Sequence, residues 1–430
     1  MTAVLVDTWY RGCVPERTPV QVDGTRSTGV CIIGAGLAGL NCARELMRHG
    51  HQVVVLEAEQ VAWGASGRNG GFVAPGYALE HAAIEARAGS HEARILHGMS
   101  IEGLQMVADN IRSLGIPCAE AVDGILSVRR YRAAAELKAR RDWLAEEFGY
   151  TVDYLDRAAL SELLQTTRYH EALHDRQAFH INPLGYARGL ANAVHQQGGE
   201  IFEQCPVTAI DGRRGDWQVV TDTLEVQARD VVIATGGYTG RLSTELYRSY
   251  LPIATYVMST QADPELLATA IGTRSAIFDD RLASDYYRLI DDGRRLLWGG
   301  GITTRTTQPR ALSRMLQRSM TDIFPQLAGL EVDMAWSGLM SYARHRMPQI
   351  GQLGSGIWYC TAFGGHGLNT TAIGGRVVAE AITGHSERYR HFQPFGLDYT
   401  AGLIGRAAVQ ATYWRYRLLD AWRERASASC

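Results

Sequence analysis

GVCIIGAGLAGLNCARELMRHGHQVVVLE, residues 29–57, is the stretch that decides the fold. The apolar run 30–33 reads as a strand, and Gly34, Gly36 and Gly39 form a turn that opens a helix. Leu37, Leu40, Ala43, Leu46 and Met47 recur at helical spacing, Gly50 stops the helix, and a second strand ends at Glu57. In such a βαβ unit the first glycine permits the tight turn, the second lets the backbone approach a pyrophosphate, and the third lets helix and strand pack closely. The helix N-terminus favours an anion. Glu57 stands about 20 residues on, where an acidic side chain binds ribose hydroxyls. A dinucleotide is expected here, and the unit by itself does not separate NAD from FAD.

The next loop, within 62–77, runs Trp63-Gly64-Ala65-Ser66-Gly67-Arg68-Asn69-Gly70-Gly71. So many glycines expose backbone N–H groups, which suits a diphosphate and the ring atoms of a flavin. Arg68 would bring positive charge to the electron-rich end of a reduced flavin. Further on, 80–115 and 133–150 read as helices, and 118–129 as two short strands. A helix is expected over 183–199, opened by Pro183, and a strand over 230–235. Strands at 284–291 and 294–300 are joined by an Asp-Gly turn at 292–293, and 252–260 is a third. Strand alternation puts Tyr286 and Tyr287 on opposite faces, so one of them can face a flavin. A buried strand at 357–362 leads into a Gly-rich turn and a helix over about 369–383.

These elements predict an α/β (α+β) chain. A Rossmann-like FAD-binding domain is assembled from 27–105, 165–240 and 335–385. An antiparallel-sheet substrate domain, 106–164 and 241–334, is inserted into it, and 386–430 forms a C-terminal helical extension.

Composition narrows the function. The chain has 430 residues, 46% hydrophobic and 20% charged, with a formal net charge of -2, so no broad basic surface is forced and nucleic acid is a poor partner. No apolar run approaches the ~20 residues that span a bilayer. The N-terminus has Asp7 within its short apolar stretch and no basic n-region, so a cytoplasmic location is expected. Residues 404–425 read as a helix with a basic face, which could lie on a membrane surface beside a quinone pool. The 7 cysteines are scattered without a CxxC pair, which points to free thiols and no metal site.

Five motifs carry a resemblance: GAGLAGL at 34–40, GASGRNGG at 64–71, RLLWGGG at 295–301, HRMPQIG at 345–351 and FGGHGLNTT at 363–371. With them the chain resembles the D-amino-acid-oxidase-like superfamily of FAD-dependent oxidoreductases, in the bacterial branch containing γ-glutamylputrescine oxidase and related amine oxidases. The resemblance implies FAD lying extended, its ring facing a substrate pocket roofed by the inserted sheet. It places Gly34, Ala35, Gly36, Leu37, Ala38 and Gly39 at the pyrophosphate, and Glu57 with Ala58 at the adenosine ribose. Gly64, Ala65, Ser66, Arg68, Asn69, Gly70 and Gly71 would line the diphosphate and ring. Val207 would touch adenine through its backbone, and Thr235 and Gly236 would border the cofactor. Gly364, Gly365, His366, Gly367, Leu368, Asn369 and Thr370 would meet the pyrimidine side of the ring.

Some members attach flavin through a cysteine upstream of the GHG turn. No cysteine lies between 206 and 359 here, so noncovalent FAD is expected. The Gly-Leu-Arg-Pro segment of amino-acid oxidases, whose Arg grips the substrate carboxylate, matches Gly338-Leu339-Met340-Ser341, so that clamp is missing. Arg346 is the first candidate to replace it, ahead of Arg344 and Arg288. Tyr287, His345, Arg346 and His366 are the candidate catalytic residues, with His366 either a base or one wall of the cofactor turn. The expected activity is oxidation of a small amine or cyclic imino acid, of γ-glutamylputrescine or L-pipecolate type, giving an imine and hydrogen peroxide. A dehydrogenase passing electrons to a quinone or carrier, and a non-catalytic FAD-binding subunit, are the alternatives.

Overall fold

In the computed structural model, which describes residues 7–428 except 19, 21, 241, 283 and 305–310, strand Gly24–Ile33 occupies the middle of the first of two sheets. It runs parallel to Val53–Leu56 on one side and to Leu224–Ile233 on the other. Glu200–Phe202 and Ile357–Thr361 extend the parallel set, and Gln349–Gln352 closes that side antiparallel. A hairpin, Ala209–Arg213 and Asp216–Val220, leans on Leu224–Ile233.

The apolar runs of these strands are buried on both faces, as parallel strands require. Val30, Ile32, Val53 and Val55 pack with Leu37, Leu40 and Leu46 of helix Leu37–Arg48 and with Leu190 and Val194 of helix Pro183–Gln196. Their alternate neighbours Cys31, Ile33, Val54 and Leu56 pack with Phe202, Val219 and Val226. One stretch of chain thus feeds two separate cores, because successive side chains point to opposite faces.

The second sheet is ordered Val332–Ala343, Tyr250–Thr260, Arg295–Thr303, Asp285–Ile290, Ala276–Asp279, Val122–Arg129, Glu171–His180 and Phe72–Val73. Its pairings are antiparallel except that of Ala276–Asp279 with Val122–Arg129. One face packs on helix Leu312–Ile323; the other looks toward the first sheet.

Three details depart from expectation. Residues 118–129 hold one strand, Val122–Arg129, preceded by a single tight turn at Pro117–Ala119. Strands Glu171–His180 and Val332–Ala343 fall in the second sheet although 165–240 and 335–385 were expected in the nucleotide-binding domain; their ladders to Val122–Arg129 and Tyr250–Thr260 put them there. The C-terminal helix, Gly402–Ala428, buries Tyr413 and Asp420 and turns Leu403, Ile404, Trp414, Leu418 and Trp422 to solvent. Its exposed side is therefore mainly apolar, with Arg415 and Arg417 beside it. Among the described residues no helix is long and apolar enough to cross a membrane.

Tyr287 and Trp298, both fully buried, stack with ring centroids 4.3 Å apart beneath the second sheet. Trp298→Ala should cost about 3–5 kcal/mol of stability through the cavity it leaves. Denaturant titration checks this, and a loss under about 1 kcal/mol would mean the sheet does not depend on this stack.

Candidate functional site

Between the two sheets lies a cavity of about 700 Å³. At one end Gly34 adopts φ +108, and a Cβ there would sit 2.7 Å from the Ala234 carbonyl oxygen. A Cβ on Gly39 would come within 2.0 Å of the Gly34 oxygen, so helix and strand touch backbone to backbone. Gly36 lines the cavity beside Ser66, whose Oγ accepts the Leu37 N–H at 3.0 Å. Helix Leu37–Arg48 therefore starts at the cavity with its positive end, and Leu37 and Ala38 line it.

Glu57 also lines the cavity. Its Oε2 accepts the Ala35 N–H at 2.7 Å and its Oε1 the Glu59 N–H at 3.0 Å. Burial outweighs these bonds and pushes its carboxyl up to about 7. Ala58, Val207, Thr235 and Gly236 complete this end.

Gly64, Ala65, Ser66, Arg68, Asn69, Gly70 and Gly71 form the next part of the wall. Asn69 organises the loop from within: its Nδ2 donates to the Ala65 and Ser66 carbonyls, and its Oδ1 accepts the Gly71 N–H at 2.8 Å. The buried Arg68 guanidinium lies over the Trp63 ring, 4.4 Å from its centroid, and no carboxylate among the described residues pairs with it. Trp63 meets Tyr238 edge to face across the cleft at 5.2 Å.

At the opposite end Gly364, Gly365, His366, Gly367 and Leu368 line the cavity, and helix Gly367–Thr383 begins there. His366 is its N-cap residue; its carbonyl accepts the Thr370 hydroxyl. Burial lowers the His366 pKa, while the nearby Glu80 carboxylate and the ring hydrogen bond to the Pro75 backbone work the other way. Asn369 and Thr370 stand behind this wall, with Asn369 Nδ2 donating to the Gly76 and Ser100 carbonyls. Ala35 and Gly39 likewise lie behind the lining.

The face toward the second sheet corrects three of the candidate catalytic positions. Tyr286, not Tyr287, points into the cavity. Its ring occupies the space a side chain would need at Gly299 and at Gly70, where a Cβ would come within 2.0 and 2.5 Å of it. Tyr287, on the other face, is bonded to the Tyr169 hydroxyl at 3.3 Å in the core. His345 is buried outside the cavity, its Nε2 donating to the Gly396 carbonyl and its Nδ1 accepting the Met347 N–H at 3.1 Å. Arg346 is exposed in a turn with φ +61 and does not line the cavity. Arg288 is buried, and its guanidinium is spent on protein acceptors, among them the Gly70 carbonyl at 2.7 Å. Met340, Tyr342, Thr255, Phe278 and Ile302 share the wall with Tyr286. Tyr342, Tyr238 and Trp63 were missed as site residues. Period-2 alternation could single out the Tyr286–Tyr287 pair but not its phase. The glycines at 70 and 299, which make room for one ring, were the signal.

Arg346→Met should leave kcat/KM within about twofold of the wild type, since it is a surface change. A tenfold loss with flavin retained would place Arg346 in the site after all.

This constellation is that of a flavin-dependent oxidoreductase, and the chain belongs to the DAO family, FAD dependent oxidoreductase, whose pattern matches residues 29–381. FAD is its cofactor. The chain is 34% identical to gamma-glutamylputrescine oxidoreductase of Escherichia coli (strain K12), over 84% of this chain and 85% of that one. It is 31% identical to the probable oxidoreductase OrdL of Haemophilus influenzae, over 92% of both chains. Glycine oxidase from Geobacillus kaustophilus has the same fold, with a TM-score of 0.71 at 20% identity over 87% of this chain and 99% of that one. L-Proline dehydrogenase from P. horikoshii superposes with a TM-score of 0.70 at 17% identity, over 87% of this chain and 100% of that one.

The cavity suits that cofactor. Gly36 leaves room beside Ser66, two helix N-termini converge on the space, and Glu57 presents a carboxyl with unspent acceptor capacity. A ribose hydroxyl donating to Glu57 favours the ionised carboxylate. Because the unliganded carboxyl holds its proton below about 7, binding there releases that proton, and FAD affinity of the apoprotein should rise as pH increases through about 7. Titration of the apoprotein with FAD by fluorescence quenching at several pH values checks this. Glu57→Gln should flatten the slope; an unchanged slope would take Glu57 out of the binding step.

Proposed function

We propose that the protein is an oxidase of a small amine, binding FAD noncovalently, and that its preferred substrates carry no carboxylate on the carbon that is oxidised, as at the terminal amine of γ-glutamylputrescine-type substrates. The observation that carries this reading is the composition of the wall around Tyr286. Its side-chain polar groups are hydroxyls, among them those of Tyr286, Tyr342 and Thr255, and Met340 lines the cavity at the position that the resemblance gives to the carboxylate-gripping arginine of amino-acid oxidases. Arg68, the cation among the described lining residues, belongs to the Trp63 and Tyr238 side. An anionic carboxylate brought against the Tyr286 wall would lose water without gaining a cation.

Held along Gly36, Ser66 and Glu57, FAD would supply the acceptor for a hydride from the C–H beside the substrate nitrogen, with oxygen as the final electron acceptor, giving an imine and hydrogen peroxide. The protein's part is positional. Tyr286, Phe278 and Met340 hold the aliphatic body of the substrate and exclude water. The N-terminus of helix Gly367–Thr383 favours negative charge developing at its end of the cavity. Cys360 lines the cavity, but burial pushes its thiol well up, so it stays protonated and unreactive toward a ring.

The test uses the purified yellow protein. Acid precipitation should release all colour into the supernatant. Anaerobic mixing with a panel of amines and imino acids should bleach the flavin fastest with amines, and admitted oxygen should restore the colour with one peroxide per turnover. Faster bleaching by a cyclic imino acid such as L-pipecolate would shift the substrate assignment. Recovery of colour with a quinone and not with oxygen would make the protein a dehydrogenase, and no bleaching by any substrate would favour a non-catalytic subunit.

A further inference from the structure

The backbone of residues 68–71 is tied down from outside the cavity at every carbonyl. Trp336 Nε1 donates to the Arg68 oxygen at 2.9 Å, and the Tyr10 hydroxyl to the Asn69 oxygen at 2.8 Å. Arg288 Nε donates to the Gly70 oxygen at 2.7 Å, and the Ile181 N–H to the Gly71 oxygen at 2.8 Å. With its carbonyls engaged from outside, the loop still lines the cavity at Arg68, Asn69, Gly70 and Gly71.

These ties are linked to one another. Arg288 Nη2 donates to the Tyr10 hydroxyl at 3.3 Å and to the Ile181 carbonyl at 2.8 Å, while Nη1 reaches His180 Nδ1 at 3.1 Å. His180 Nε2 faces the Arg274 carbonyl at 2.8 Å and must carry the ring proton, so Nδ1 is free to accept from Arg288. Tyr10 is fully buried, edge to face with Trp336 at 5.7 Å. It lies outside residues 29–381, on an arm that Arg188 holds through the Val14 and Pro15 carbonyls.

We propose that Tyr10 on the N-terminal arm and Arg288 on the second sheet are positioning residues, forming a buckle that sets the 68–71 backbone for the cofactor. The inference rests on the reading that this loop holds the flavin. Neither side chain touches the cavity: both act through the Asn69 and Gly70 carbonyls. The rigid fork of the guanidinium is what the arrangement needs, since one planar group must serve the Gly70 and Ile181 carbonyls, Tyr10 and His180 together. The buckle joins three parts of the chain that are far apart in sequence, so the wall takes its shape only when arm, loop and second sheet are all in place.

Tyr10→Phe keeps the ring against Trp336 and removes the hydroxyl that bridges Arg288 to Asn69. The apoprotein should then bind FAD about tenfold more weakly, as expected for one lost buried hydrogen bond in a linked set. The visible absorption and circular dichroism of the flavin that does bind should be altered. Arg288→Lys should show the same signature despite keeping the charge. Arg17→Ala, which loosens the arm at Asn192 and Glu203 instead, should leave flavin affinity and spectrum as in the wild type. Wild-type affinity and spectrum in Tyr10→Phe would overturn the proposal. So would an equal effect from Arg17→Ala accompanied by a matching fall in apoprotein melting temperature, because the arm would then be a general stabiliser. A wild-type chain that takes up no FAD would instead sink the underlying assignment of the loop.

Discussion

The contact on which the rest depends is the approach of Gly39 to the carbonyl of Gly34, so close that any Cβ would overlap the oxygen. It lets helix Leu37–Arg48 begin directly at the end of strand Gly24–Ile33 and present its first amides to the cavity. A helix N-terminus brought this close supplies several N–H donors and a favourable dipole without burying a formal charge. The neighbouring strands follow from that choice. Leu224–Ile233 must leave its own end open, and it does so with Ala234 packed against Gly34.

Around that backbone framework the protein places few charges, and places them without direct counter-ions. Glu57 is held by two backbone N–H groups, Arg68 by the face of Trp63, and Arg288 by carbonyls, a hydroxyl and a neutral histidine. Burial lowers the His180 pKa to about 3, with the Arg288 charge beside it working in the same direction. Such arrangements cost desolvation energy. They persist where a ligand's own charge or hydrogen bonds complete the set, and all three groups lie in or directly behind the cavity wall.

Tyr286 shows how the two sheets are made to fit. Its ring lies against Gly70 of one loop and Gly299 of a neighbouring strand, and it meets Phe72 edge to face at 5.5 Å. Tyr287, one residue on, is stacked on Trp298 in a different core. The two side chains are chemically identical, and burial in different compartments gives them different work. Exchanging the faces would need a one-residue slip of the strand, which would move every side chain of Asp285–Ile290 to the wrong side.

Residues 29–57 by themselves determined the strand, turn, helix and strand, because glycine spacing and a 3.6-residue apolar period are local properties that survive in any context. The motifs at 64–71 and 363–371 likewise carried the family, since they are runs of backbone geometry written in glycine. What tertiary structure decided was which side chains meet. The phase of Tyr286 against Tyr287, the withdrawal of Arg346 to an exposed turn and the burial of His345 beside Gly396 all follow from pairings between distant segments. So do the strand ladders that carry 171–180 and 332–343 into the second sheet, and the tie between Tyr10 and Arg288, 278 residues apart. A local pattern states which faces an element has; only the partners packed against those faces settle which one becomes the wall of the site.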